Sequence, residues 1–211
     1  MKTITLILAT FISQIAFAND EKYIEQMTKQ IQAVYSAQTI EELQTIVNTI
    51  DRIAGAEKTK WEPYYYSAFG AVMMATRETE ATKKDGYLDL ALAAIEKGKK
   101  INSEESELVA LEGFVHMIRV TVDPATRGQQ YSSMAFQTYN KALNMNPENP
   151  RALGFLAQMQ LGTARFFSSS TDEACGTAKK ALEKFATYKS ENPLAPKWGK
   201  GSTEGVLKNC N

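Results

Sequence analysis

A chain of 211 residues with one histidine and two cysteines is poor in the side chains from which catalytic triads and multi-histidine metal sites are built. It also lacks a surplus of either charge, with 24 Lys plus Arg against 24 Asp plus Glu. A nucleic-acid binder usually needs a basic excess to neutralise phosphates, so that class is excluded, and nothing electrostatic draws the chain to a membrane surface. No Gly-rich phosphate loop, Gly-x-Ser-x-Gly elbow, His-Glu-x-x-His or Cys/His cluster occurs. The acidic pairs Glu41-Glu42 and Glu104-Glu105 stand at expected helix starts, where the helix dipole explains them. The reading is therefore of a non-enzyme without cofactor or metal. With 44% hydrophobic and 23% charged residues, disordered, collagen-like and polytopic membrane classes are excluded as well.

The first residues read as an export signal. Lys2 is followed by an apolar stretch from Ile4 to Phe17 and by the small-x-small sequence Ala16-Phe17-Ala18. Cleavage after Ala18 would start the mature chain at Asn19. The apolar run falls short of the roughly 20 residues a spanning helix needs, and no Cys follows it as in a lipoprotein. The expected location is the periplasm or the exterior, with no membrane span after cleavage. In an oxidising compartment an even pair of cysteines reads as one bond, Cys175 to Cys210, with two free thiols as the alternative.

The remainder reads as helix after helix, with no competing strand pattern. Tyr23, Ile24, Met27, Ile31, Val34 and Tyr35 draw one stripe, and Ile40, Leu43, Ile46, Val47, Ile50 and Ile53 a second behind a Thr39–Glu42 capping box. Further helices are expected over 64–79, from near Gly86 to 101, from a cap at Asn102 or Ser103 to 122, and over 129–145, 150–167 and 171–189. Three second helices share one spacing of four, three and five residues. It is seen in Ala135, Tyr139, Ala142 and Pro147, in Ala91, Ile95, Gly98 and Ser103, and in Ala174, Ala178, Ala181 and Ala186. The preceding helices align through Gly70, Gly113 and Ala157, again with a period of about 40.

This pattern resembles the tetratricopeptide repeat (TPR) family, best at Ala135, Tyr139, Ala142 and Pro147. Tyr66, Phe69, Gly70 and Met73, and Leu153, Leu156 and Ala157, resemble its first-helix signature. The chain departs from it in a period longer than the family's 34 residues and in Glu112 before Gly113, where Leu is expected. Extra residues are placed in the first helices or in connections such as 78–85 and 123–130. The resemblance implies an all-α, right-handed superhelix of stacked antiparallel hairpins. Three hairpins are expected over 62–190, an opening helical pair over 19–61, and a capping tail over 191–211 in which Trp198, Val206 and Leu207 cover the last repeat.

Stacked hairpins of this kind bind partners on a concave face lined by first helices. The residues expected there are Tyr64, Tyr65, His116, Arg119, Arg151, Gln158 and Arg165, with one or two of the tyrosines at 64–66 free for a ligand. His116, between Val115 and Met117, reads first as a packing residue. The leading expectation is a protein or peptide partner held in the groove; the alternative is a small molecule or solute. An enclosed cavity beneath Tyr64–Tyr66 and Phe114 would favour the alternative.

Overall fold

The computed structural model describes residues 20–210; the expected signal segment 1–18 lies outside them. Helix α1 spans 20–36. It is followed by α2 (Ile40–Ala56), α3 (Glu62–Arg77), α4 (Ala81–Ile101), α5 (Ser106–Val120), α6 (Pro124–Met145), α7 (Pro150–Phe166), α8 (Asp172–Thr187) and α9 (Lys200–Leu207). There is no strand among the described residues, and no helix there is long and apolar enough to cross a membrane.

The elements start where local chemistry demands. Thr39 accepts the Glu42 amide at 3.1 Å while the Glu42 carboxylate takes the amides of Thr39 and Gln38, which is the expected capping box. Asn149 caps α7 by accepting from Arg151 and Ala152, with Pro150 in the first turn. Helix α6 begins earlier than expected, at Pro124. Asp123 both ends the preceding segment and caps α6 through the Thr126 amide, so the residues expected as a connection over 123–130 are helical. Helix α4 likewise starts at Ala81 rather than near Gly86. The residues beyond the 34-residue period therefore lengthen the second helices. Their added turns are tied together by charge: Asp85 of α4 meets Arg119 at 3.2 Å and Arg127 of α6 at 2.6 Å, and Arg119 also pairs with Asp89.

Helices pack as successive hairpins, α3 on α4, α5 on α6 and α7 on α8. First helices also pack on one another, α3 with α5 and α5 with α7, whereas the backbones of α4 and α6 stay apart and are linked by the Asp85–Arg127 side chains. That asymmetry is what curves a TPR-like stack, with first helices on the inner side. Small residues make the close approaches possible. Ala91, Ala135, Ala142, Ala157, Ala174 and Ala181 are fully or almost fully buried, as is Tyr139. A Cβ on Gly113 would stand 2.5 Å from the Tyr139 ring of its own hairpin. Gly70, which aligns with Gly113 in sequence, faces a different neighbour, Val47 of the preceding α2. Pro147 is exposed in the turn after α6 and ends that helix without packing in the core.

Past α8 the chain runs without helix over 188–199 and then forms α9, which packs on α7 and α8 in the place of a next first helix. Val206 is buried with Ala157, Leu161, Ala174 and Ala178. Cys210 is bonded to Cys175, with the Cα atoms 5.8 Å apart. Trp198, expected to cover this terminal face, lies elsewhere.

Candidate functional site

The inner face offers a row of aromatic and charged side chains, and the chain's own segment 188–199 runs through it. Trp198 lies among Phe69, Phe114 and Phe155, with ring centroids 4.4, 5.8 and 5.3 Å away. Its indole N–H donates to the Tyr65 hydroxyl at 3.0 Å. The Tyr66 hydroxyl donates to the Leu194 carbonyl at 2.7 Å, and the Asn192 amide donates to Glu62 of α3 at 2.9 Å. The Lys197 amide donates to Tyr35 of α1. Beneath the segment, Arg151 of α7 makes two hydrogen bonds with Glu107 of α5, at 2.6 and 2.7 Å, and turns a third donor to the Trp198 carbonyl at 3.3 Å. Burial alone would lower the Arg151 pKa, but the hydrogen bonds and charge of Glu107 outweigh it and hold the guanidinium above its usual range. The Arg151 guanidinium also stacks over Tyr188, 4.7 Å from its ring centre.

The groove residues expected from sequence are thus mostly interior. Tyr65 and Tyr66 are buried, and burial raises both phenol pKa values. Tyr64 is half-buried and donates to the Ala54 carbonyl of α2. None of the three is free on the surface: the segment 188–199 covers Tyr65 and Tyr66, and Tyr64 turns to α2. Arg151 supports the segment from below. His116 and Arg119 point to the other side of α5: Arg119 pairs with α4, and the His116 ring lies 6.2 Å from Tyr131 of α6 with its Nδ1 unpartnered among the described residues. Burial lowers the His116 pKa, as expected of a packing residue. Gln158 is half-buried with its Nε2 unpartnered among the described residues, and the exposed Arg165 donates to Asn209 at 2.7 Å. The space between Tyr65 and Phe114, where an enclosed cavity would have favoured a small-molecule ligand, is filled by Trp198.

Open concave space lies on the other side of α7. A cleft of 360 Å³ is formed by α6, α7 and the start of α8, with Phe136, Leu156 and Ala164 as apolar walls. Asn140, Gln160, Thr163, Ser169 and Ser170 line the rest, with Glu173 bonded to Gln160 at 2.7 Å. The Gln160 Oε1 is buried with no partner among the described residues. Beside it, between the lining residues Ala164 and Ser169, stand Phe166 and Phe167, 82% and 70% exposed, edge to face at 5.0 Å. Ser168 turns the chain there in a left-handed conformation, φ 52°. Sequence reasoning passed over this site. Its one signal was the adjacent pair of phenylalanines at a helix end, which a helical stripe cannot bury together.

No family model and no curated protein matches the sequence. Among solved structures, the HusA haemophore from Porphyromonas gingivalis is similar at a TM-score of 0.80 and 28% identity, over 89% of this chain and 92% of that one. A thermophilic TPR protein of Thermus thermophilus is similar at 0.55 and 17% identity, over 92% and 95%. With the helical pairs, the small-residue contacts and the curved inner layer described above, the chain has the TPR-like fold, an all-α stack of antiparallel helical hairpins.

Proposed function

We propose that this is an exported, non-catalytic binding protein that carries a flat apolar ligand of the haem class in the cleft between α6, α7 and α8. The observation that carries the reading is the occupied groove: Trp198 and Leu194 are seated on the first helices, while the cleft of 360 Å³ between α6, α7 and α8 stands open. Likeness to a haemophore over nearly the whole of both chains supports the ligand class. Phe136 and Leu156 offer apolar contacts in the walls, and the exposed Phe166–Phe167 pair offers aromatic edges and faces beside them. Two such side chains in water gain from covering by a ligand, at about 25 cal/mol per Å² of apolar surface removed.

In this reading the cleft holds the ring of such a ligand and supplies nothing to its metal. Its lining contains no His, Cys, Met or Tyr, the side chains that ligate haem iron, and His116 faces α6 from the other side of α5. Binding here is by ring contact, so an iron-free porphyrin should bind as haem does. The test is a titration of the mature chain with haem and with iron-free protoporphyrin, read by the ligand's absorbance and by the shift in unfolding temperature. Saturable one-to-one binding of both is expected, weakened about tenfold or more by Phe166→Ala/Phe167→Ala, the scale of roughly 1.4 kcal/mol. Absence of saturable binding would remove the function. Binding of haem alone, or binding untouched by the double variant and by Leu156→Ala, would remove the cleft as its place.

A further inference from the structure

We infer that Glu173 decides which rings the cleft accepts and which edge of them enters: a ring whose carboxylates are gathered on one edge is seated with its uncharged edge inward, and a ring charged all round is turned away. This rests on the ligand reading for the cleft and adds to it a selectivity that the apolar walls do not supply.

The walls favour flat apolar surface and nothing more specific. Phe136, Leu156, Ala164 and Ala174 would hold any ring of that kind, since the burial of apolar surface has no direction. Direction comes from charge, and the lining holds one charged side chain, which is acidic. Asn140, Gln160, Thr163, Ser169 and Ser170 are neutral, and no Lys or Arg is among the lining residues. A site that took in a ligand's carboxylates would present a cation to them, because an ionised carboxylate leaves water only against a partner. Arg165, next to Ala164, instead donates to Asn209 just past α9.

Glu173 is held where it can act. The first turn of α8 favours acids through the helix dipole, and Asp172 beside it meets that preference as well. The Glu173 carboxylate reaches across to α7 and accepts the Gln160 amide at 2.7 Å. Its side chain is otherwise exposed, so the charge stands at the edge of the cleft. The partial positive charge of the helix start is no substitute for a cation here. Two carboxylates and the Ser170 hydroxyl, which accepts the Asp172 amide, already answer it. A ligand carboxylate brought beside Glu173 therefore meets repulsion worth about tenfold in affinity, weakening as salt rises.

The test is a titration of the full mature chain with two iron-free rings. Protoporphyrin carries its carboxylates together on one edge, and uroporphyrin carries them on every side. At low salt the unaltered protein should bind protoporphyrin at least about 100-fold more tightly. Glu173→Gln keeps the shape and the bond to Gln160 while removing the charge. It should narrow that ratio about tenfold by improving uroporphyrin, with protoporphyrin moving less than about threefold. Asp172→Asn, the same change of charge one residue outside the lining, should leave the ratio within about threefold. Equal affinity for both rings in the unaltered protein, or a ratio untouched by Glu173→Gln, would overturn the inference and leave the cleft as a ring site. A tenfold gain for protoporphyrin in Glu173→Gln would overturn it too, since the ligand's carboxylates would then lie against Glu173. An equal response to Asp172→Asn would assign the effect to overall charge and end the proposal. Saturable binding of neither ring would remove the ligand reading and this selectivity with it.

Discussion

Arg151 has 2% of its surface exposed, and its guanidinium is satisfied by Glu107, the Trp198 carbonyl and the Tyr188 ring. Removing it strands the Glu107 carboxylate out of water, so Arg151→Met should cost about 3–5 kcal/mol in denaturant unfolding, and the added Glu107→Leu should recover most of that. Gly113 and Gly86 should respond with opposite signs to the same change. Gly113→Ala would drive a methyl into the buried Tyr139 ring and cost about 1–3 kcal/mol, while Gly86→Ala, with open space around it in α4, should stabilise by about 0.5–1 kcal/mol. His116 supplies a dependence on pH. Burial lowers its pKa, against the pull of Glu112 and with the push of Arg119 and Lys99. The unfolded chain then takes up that proton at higher pH than the folded one, so stability falls as pH drops below about 6.5. His116→Gln should flatten the fall of unfolding temperature between pH 7 and pH 5. At this scale the sequence names Arg151 for the groove and reads His116 first as packing, but it does not name their partners, Glu107 and Trp198 for one and Tyr131 of α6 for the other, which are fixed only by the fold.

Among the elements, the helices and the order of their pairing were legible, since apolar spacing and caps such as Thr39 and Asn149 act locally. The ends of α4 and α6 were not. Ala81 and Pro124 begin turns with little apolar periodicity, and what holds them is the Asp85 contact with Arg127 across two hairpins. The cysteine pair could be read from parity alone, and its consequence belongs to α9. That helix has eight residues, too few to persist unaided. Closing a loop of 35 residues is worth about 4 kcal/mol in the chain-entropy account. Cys175→Ser/Cys210→Ser should therefore lower stability by up to that amount, with proteolysis appearing first around α9 and 188–199. Unchanged stability and protease resistance in that variant would mean that packing of Val206 alone retains the helix.

For the molecule as a whole, repeat spacing identified the stack because every hairpin buries residues against its neighbour. It gave no indication that the concave face was taken. The bonds that close it, Tyr66 with Leu194 and Lys197 with Tyr35, join residues 128 and 162 positions apart, which no periodicity encodes. The cleft was missed for a related reason: Phe136, Leu156 and Glu173 lie on three helices. These long-range ties should make unfolding a single transition, with tryptophan fluorescence and far-ultraviolet circular dichroism giving the same midpoint. Separate midpoints would show that the hairpins melt one by one, as in an open solenoid.

A plain stack of repeats can settle hairpin by hairpin as it leaves the ribosome, because each contact it needs lies nearby in the chain. Here the first three-helix portion waits for residues 194–198 before Tyr65, Tyr66 and Phe69 are covered. Until those late residues arrive, the nascent protein shows water a row of aromatic rings and an ion pair without its lid. A chain cut short before Trp198 therefore leaves Tyr65 and Phe69 without their cover, and such an exposed aromatic row favours aggregation.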